Sequence, residues 1–299
     1  MPKVIITGGT GLIGRNLTEF LRNQGYEVAV LTRDPRRNGE YKWDIRKQYI
    51  DPEIFNKTQA IIHLAGADVA DKPWTASRKQ EILDSRTQTA AMLLDHVKDH
   101  PHTIRTFISA SAVGYYGDGK SQVLTEDSPS GSGFLSEVCR QWEPAAGAFS
   151  AIGIRVCKLR IGFVLSPDGG ALPKMDLPNR FGLGTYFGSG TQFISWIHIK
   201  DLCWIFQHVL ENEQLHGAYN ACAPNPVNNL QMTKDISAAW NKPFLPLPAP
   251  EFILRALLGE RAELLLMSSR CSTDKIHQAG FRFLFSELPS ALQDIYQNK

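Results

Sequence analysis

The 299-residue sequence is short of the features that mark secreted, membrane-bound or metal-holding proteins. Its five cysteines, Cys139, Cys157, Cys203, Cys222 and Cys271, are scattered, odd in number and never form a C-x-x-C pair. That spacing argues against a disulfide framework and against a metal site, and it fits a reducing compartment. No apolar run is long enough to span a bilayer. The chain enters a β-branched segment at Val4, which leaves no length for a secretory signal. A cytoplasmic location is therefore the expectation. Neither sign of charge is in excess, with 32 Lys+Arg against 30 Asp+Glu. A nucleic-acid or membrane-surface binder carries a basic surplus, so neither partner is expected. Internal repeats and low-complexity tracts are absent too. The hydrophobic share of 43% suits a packed globular core.

What is present starts at once. Lys3 to Gly14 reads KVIITGGTGLIG. Val4, Ile5 and Ile6 predict a buried strand, Gly8, Gly11 and Gly14 a tight turn, and Arg15 to Asn23 a helix. Strand, glycine turn, helix places a phosphate-bearing ligand on helix N-terminal N–H groups. In that reading Gly8 permits the turn, Gly11 lets the backbone approach a pyrophosphate, and Gly14 lets helix and strand pack closely. A second strand, Tyr26 to Arg33, ends in Thr32-Arg33 rather than in an acid. An acid there would bind the ribose hydroxyl of NAD; a guanidinium forks onto a 2′-phosphate, which favours NADP(H). The plainer alternative is that Arg33, Arg36 and Arg37 are ordinary surface arginines. Asp44 is a candidate contact to the adenine amino group.

Further strands are predicted at Ala60–Gly66, Thr106–Gly117 and Ile154–Ser166. A long helix follows Thr75, and a second is read over LSEVCRQWEPAAGAF from Leu135, with Pro144 expected to kink it or end its first part. Strands alternating with helices predict an α/β fold, a Rossmann-type doubly wound parallel sheet. After Ser166 the texture turns rich in glycine and proline. The expected organisation is a dinucleotide-binding domain over residues 1–166, with a return of about 191–212. A smaller C-terminal substrate-side domain covers most of 167–299. The segment FGLGTYFGSGTQF is read either as an arch over the cofactor end of the cleft or as a self-packed loop. Phe181, Tyr186, Phe187, Gln192 and Trp196 are its candidate substrate wall.

In this order, TGGTGLIG, HLAGA, SASAVGYYG and WIHIKD resemble the extended short-chain dehydrogenase/reductases, the family of sugar-nucleotide epimerases and dehydratases. ADKPWTASRKQEILDSR, PDGGALPKM and LLGERAELLL are similar to a narrower group labelled epimerase-family or cell-division-inhibitor-like proteins. The resemblance implies that Gly8, Thr10, Gly11, Leu12, Ile13 and Gly14 line the pyrophosphate, and that Thr32 and Arg33 hold the 2′-phosphate. It implies that His63, Leu64, Ala65 and Gly66 lie along the cofactor, that Glu81 and Arg86 approach it, and that Val164 sits near the nicotinamide. A surface ion pair is the alternative for Glu81 and Arg86.

The family moves protons with a tyrosine and a lysine four residues later, the lysine lowering the phenol pKa. Here Phe134 and Val138 stand at those places. Ser109, Ser111 and Tyr115 are the remaining catalytic candidates, with Tyr116 beside them. Lys79 and Arg86 share a helix face that suits an anionic substrate or simply water. Glu137 reads as exposed or ion-paired, His198 as structural, and Asp201 as a helix cap. Two functions follow: an NADP(H)-dependent oxidoreductase or epimerase-like enzyme acting on a small molecule, or an NADP(H)-sensing regulatory or scaffold protein. The second calls for a protein partner; a homodimer is open under either.

Overall fold

In a computed structural model, which describes residues 1–100 and 102–297, all five residues of β1 (Lys3–Thr7) are buried at the centre of a parallel sheet. The chain continues through α1 (Leu12–Asn23), β2 (Glu27–Thr32), β3 (Glu40–Asp44), β4 (Tyr49–Ile50), β5 (Thr58–His63), α2 (Ala76–Asp99) and β6 (Thr106–Ala112). Then come β7 (Val123–Leu124), α3 (Phe134–Gly147), β8 (Arg155–Ile161), β9 (Phe163–Leu165), α4 (Leu172–Asn179), β10 (Leu183–Phe187), β11 (Phe193–Ile194), β12 (Trp196–His198) and α5 (Ile199–Glu211). The last elements are β13 (Gly217–Ala221), β14 (Val227–Asn228), α6 (Asn229–Ala239), β15 (Leu245–Ala249), α7 (Glu251–Leu258), α8 (Glu263–Leu266), β16 (Arg270–Cys271), α9 (Asp274–Gln278) and α10 (Leu288–Gln297).

Eight strands form the main sheet in the order β13-β8-β6-β5-β1-β2-β3-β4. All pair in parallel except β3 with β4. Strand order therefore reverses between β1 and β5, and a crevice opens at their carboxyl ends, where this architecture binds ligands. Alternation along β1 sets the layers. Val4 and Ile6 pack with Leu17 and Leu21 of α1 and with Leu202 and Phe206 of α5. Ile5 faces the other way, onto Met92 and Leu93 of α2. Each such buried aliphatic contributes about 1.5–3 kcal/mol relative to exposure. A separate core gathers Trp196, Met232, Ile236, Leu288 and Leu292.

Three local expectations are corrected. The strand expected over Thr106–Gly117 stops at Ala112, and Val113–Tyr116 form a single tight helical turn. The strand expected over Ile154–Ser166 divides at Gly162, where a Cβ would lie 2.2 Å from the Ser195 carbonyl oxygen. Its second part, β9, leaves the sheet and pairs with β12. Pro144 does not end α3, which runs on to Gly147. Beyond these, Leu245–Ala249, with Pro246 and Pro248, form strand β15, paired in parallel with β10. Pro246 and Pro248 alternate along it, the pattern of an edge strand that offers no outward donors at those positions. β13 lies beyond the 191–212 return and adds the sheet's far edge.

Candidate functional site

The crevice between β1 and β5 is floored by the glycine turn. Gly8 has φ +70°, and a Cβ on it would lie 2.8 Å from the Leu64 carbonyl group. Gly14 is tighter still: a Cβ would lie 2.2 Å from the Gly8 carbonyl oxygen. Gly11 differs, since a Cβ there meets only the Gly8 oxygen, at 3.3 Å. Gly11 is also the N-cap of α1, and no side chain caps that helix. The first N–H groups of α1 thus stand free of side-chain acceptors beside exposed Thr10 and Gly11, a ready anion site. Leu12 and Ile13 are partly buried. Leu12 supports the turn after β9, a Cβ on Gly170 lying 3.1 Å from it. Val164, on β9, packs against the main core.

At the end of β2, Thr32 accepts the Asp34 N–H at 3.3 Å. Arg33 is exposed and has no ion-pair partner among the described residues. Arg36 is engaged, 2.6 Å from Asp34. Asp44 accepts the N–H groups of Arg46 and Lys47, which makes it a turn cap at this position.

His63 was expected along the cofactor, but its imidazole is fully buried beneath the sheet's end. Nδ1 is 2.8 Å from Thr7 Oγ1 and Nε2 3.2 Å from Thr89 Oγ1. The Thr7 hydroxyl also accepts the Leu64 and Ala65 N–H groups, each at 3.1 Å, which locks β1 to the loop after β5. Burial, with the nearby Arg86 charge, pushes the His63 pKa down to about 4. His198, also buried, is pushed down to about 4 by burial, against the opposing Asp294 carboxylate, with the Lys200 charge adding to the drop. An unfolded histidine titrates near 6.5, so between about pH 6.5 and 4 the unfolded chain takes up protons that the folded chain refuses. Stability is expected to fall as pH drops through that window, by about 3 kcal/mol at pH 4 for one such group. Urea unfolding at pH 7 and pH 4.5 measures it. The His63→Gln chain should show a shallower dependence, and an equal slope would refute this account.

The long helix α2 is capped by Thr75, whose hydroxyl accepts the Arg78 N–H at 3.2 Å. Glu81 does not reach the crevice; it is exposed and pairs with Arg78 at 2.6 Å. Arg78, which no sequence pattern singled out, also binds Asp71 and the Asp68 carbonyl, and so ties down the loop after β5. Lys79 is not left for an anion, since it pairs with Glu260 and lies over the Phe134 ring. Arg86 lies at the loop after β5. Its guanidinium lies against exposed Gly66, where a Cβ would be 2.9 Å away, and 5.0 Å from the Trp142 ring. Nη1 donates to the Ala67 and Ile82 carbonyls. Burial holds its pKa down at about 10, so it stays charged at neutral pH, with no carboxylate paired to it among the described residues.

The three catalytic candidates do not meet in the crevice. Ser109 is buried and donates to the Ala110 carbonyl at 2.8 Å. Ser111 is buried and donates to Glu143 at 2.8 Å. Glu143 is held at both oxygens by Arg160, at 2.8 and 3.0 Å. Tyr115 lies face-on to that guanidinium, 3.5 Å from its ring centre. The Tyr116 hydroxyl donates to Asn220 at 2.7 Å and accepts from Arg160, and burial raises its pKa. Phe134 and Val138, where the dyad would stand, pack with Trp74, Ile82, Leu135 and Leu264. His198 is the N-cap of α5, accepting the Lys200 N–H at 3.1 Å, so Asp201 is not the cap. Asp201 instead accepts the Leu284 and Phe285 N–H groups. Glu137 pairs with Arg140.

A cavity of about 260 Å³ opens at the carboxyl ends of β6 and β8, with Arg86 in its wall. Phe187 lines it, as do Phe193, Trp142, Cys139 and Asn229, which sequence reasoning left out. Their signal was weak, since they come from three elements far apart in the chain, α3, β11 and α6. Burial pushes the Cys139 thiol up to about 11, which favours the neutral thiol at neutral pH. Trp196 is buried in the C-terminal core, Phe181 is exposed, and Gln192 binds the Phe187 and Leu265 carbonyls, so these do not wall the cavity. A second, more polar cleft of about 700 Å³ adjoins, lined by Asp118, Lys120, Ser189, Glu251 and Arg255 among others. Among the described residues no cluster of three or more His, Cys, Asp or Glu could hold a metal, and no helix is long and apolar enough to cross a membrane.

Comparison with known proteins gives these features a context. The sequence pattern of the NAD dependent epimerase/dehydratase family matches residues 4–222, and that of a domain of unknown function (DUF1731) matches 249–295. An epimerase family protein of Mycobacterium bovis is 36% identical over 291 residues, covering 97% of this chain and 96% of its own. The epimerase family protein YfhF of Bacillus subtilis is 36% identical over 304 residues, 99% and 98% of the two chains. The human epimerase family protein SDR39U1, solved with NADPH, superposes with a TM-score of 0.88 at 32% identity over 99% of this chain and 100% of that one. UDP-N-acetylglucosamine 4-epimerase of Bacillus cereus shares the fold, with a TM-score of 0.81 at 17% identity. The chain belongs to the NAD-dependent epimerase/dehydratase family.

Proposed function

We propose that this chain binds NADP(H) across the carboxyl ends of β1 and β5 and acts as an NADP(H)-dependent oxidoreductase on a small molecule in the adjoining cavity. The observation that carries the reading is an uncapped α1 N-terminus on a turn with an open Gly11, together with an exposed, unengaged Arg33. The NADPH-bound human relative supports the same cofactor. The free N–H groups of α1 hold the pyrophosphate, and Arg33 with Thr32 holds the 2′-phosphate. Arg86, buried and without a carboxylate, faces the negative charge or ribose hydroxyls of the dinucleotide. When bound, the cofactor supplies hydride chemistry at its nicotinamide. The chain positions the substrate; with Phe134 and Val138 at the dyad positions, a proton is exchanged with water.

The test is a fluorescence titration with NADPH and NADH. NADPH is expected to bind more tightly, and Arg33→Ala is expected to weaken NADPH alone by roughly 10–100-fold, the worth of a charge-assisted contact. If neither dinucleotide binds, the reading fails. A non-catalytic NADP(H)-sensing role is the second reading. It is favoured by the apolar cluster at the dyad positions and by the Lys79–Glu260 pair, which ties α2 to the C-terminal part. A carbonyl-substrate panel that never oxidises NADPH, with tight NADPH binding, decides for it.

A further inference from the structure

The small cavity holds one charge and no opposite one. Of the residues that line it, Arg86 alone is ionised at neutral pH, and none is Asp or Glu. Val113, Val138, Phe163, Phe187, Phe193 and Leu264 make up much of the remaining wall. The Arg86 guanidinium is held in place. Nη1 donates to the Ala67 carbonyl at 3.1 Å and the Ile82 carbonyl at 2.8 Å, the Trp142 ring lies 5.0 Å from Cζ, and the missing Cβ of Gly66 leaves it room. Nε and Nη2 differ: they meet no acceptor among the described residues, and neither is an enclosed atom. Asp68, the one carboxylate among the described residues whose charge is felt at Arg86, is exposed and accepts the Ala70 N–H instead, at 2.7 Å.

We propose that this cavity takes a small carboxylate with an apolar body, its charged end on Arg86. The proposal rests on the oxidoreductase reading above and names its substrate class. A cation in an apolar hollow without a counter-charge is unfavourable, and a ligand that brings one negative charge relieves it. Nε and Nη2 form one edge of the guanidinium, the fork that a carboxylate fills with two parallel hydrogen bonds. The dinucleotide does not remove this demand. In the reading above its pyrophosphate is met by the α1 N–H groups, and ribose hydroxyls at Arg86 are neutral and leave the charge uncancelled. A phosphate monoester brings two charges to a single cation, and the second would lie against hydrocarbon. Size agrees with a small ligand: about 260 Å³ lies just below the roughly 300–1,000 Å³ of sites for drug-sized ligands.

Methionine methyl groups report on binding here. Met175 and Met267 line the cavity, and Met92 lies in another core. In the full chain with ¹³C-methyl methionine and saturating NADP⁺, benzoate is expected to shift Met175 and Met267 saturably and to leave Met92 in place. Benzamide, of the same shape but neutral, is expected to bind at least about tenfold more weakly, the worth of a charge-assisted contact, and phenyl phosphate more weakly than benzoate. Arg86→Met should bring the preference for benzoate over benzamide close to nothing, whereas Arg86→Lys, which keeps the charge, should retain part of it. The readout is a ratio at saturating NADP⁺, so any part that Arg86 plays in holding the cofactor cancels. Val69 is partly buried in the same wall. Val69→Glu sets a carboxylate there, is expected to remove the preference too, and makes the test if the Arg86 variants do not fold. No shift with benzoate, equal binding of benzamide, tighter binding of phenyl phosphate, or an unchanged preference in Arg86→Met or in Val69→Glu overturns the proposal. Absence of NADP⁺ binding in the unmodified chain overturns the cofactor reading instead, and the same ratio measured without cofactor then decides for the cavity.

Discussion

Gly14→Ala is expected to cost the fold about 3–4 kcal/mol and to abolish NADPH binding, while Gly11→Ala leaves stability within about 1 kcal/mol and loses binding alone. The contrast separates two reasons for glycine within one turn. At Gly14 the new Cβ would lie 2.2 Å from the Gly8 oxygen and 2.6 Å from the Gly9 Cα. Both are backbone atoms, so no side chain can swing aside, and the start of α1 must lift off the turn. At Gly11 φ is −74°, ordinary for any residue, and the nearest atom is 3.3 Å away. The protein itself asks for almost nothing there; the space is kept for something else. Urea unfolding without cofactor, run beside an NADPH titration, measures both. Equal destabilisation by the two variants would mean that Gly11 is structural, and the phosphate cradle would lose its main support.

The same distinction explains what could be read from the sequence. β1, the glycine turn and α1 are contiguous, and their signals are local: a β-branched run, three glycines, a helical stretch. The start of α2 was equally legible, since Thr75 caps the helix from its own first turn. Side chains at strand ends were not. Ser109 and Ser111 alternate with Ile108 and Ala110 along β6, and period two fixes that they share a face without saying which face is the crevice. Their partners lie far along the chain: Glu143 for Ser111, and for His63 both Thr7 and Thr89. The Asp201 reading fails for a similar reason, while His198 is structural as expected and takes the cap itself. Both sit at the start of α5, and only the arrival of Leu284 and Phe285 draws the Asp201 carboxylate away from capping. The residues of the cavity were the least legible, because α2, β9, β11 and α6 each contribute only one or two of them, and the four from α3 face it only once that helix is packed.

The network that absorbed Ser111 yields the second large effect. Glu143 and Arg160 are both buried, joined by two charge-assisted bonds, and each is further tied, to Ser111 on one side and to Tyr116 and the Glu126 carbonyl on the other. Removing one charge leaves the other stranded in a low-dielectric interior. Glu143→Leu or Arg160→Met alone is therefore expected to cost about 3–5 kcal/mol. The double variant should recover much of that loss, because paired charges are held against a desolvation penalty that two apolar side chains never meet. A double-mutant cycle by urea unfolding should give a coupling of about 2 kcal/mol or more; additive losses would show that the two act independently. The consequence reaches the crevice. Arg160 also supports Tyr115 at 3.5 Å, and the turn Val113–Tyr116 supplies Val113 and Gly114 to the cavity wall. A fully apolar replacement can restore stability without restoring that turn. The double variant is thus expected to fold, to bind NADPH through a glycine turn at the other side of β5, and to lose affinity for the cavity's ligand. The polar core would then serve to hold the shape of the cavity wall, and Ser111 and Tyr115, catalytic candidates in the sequence, would belong to its scaffold.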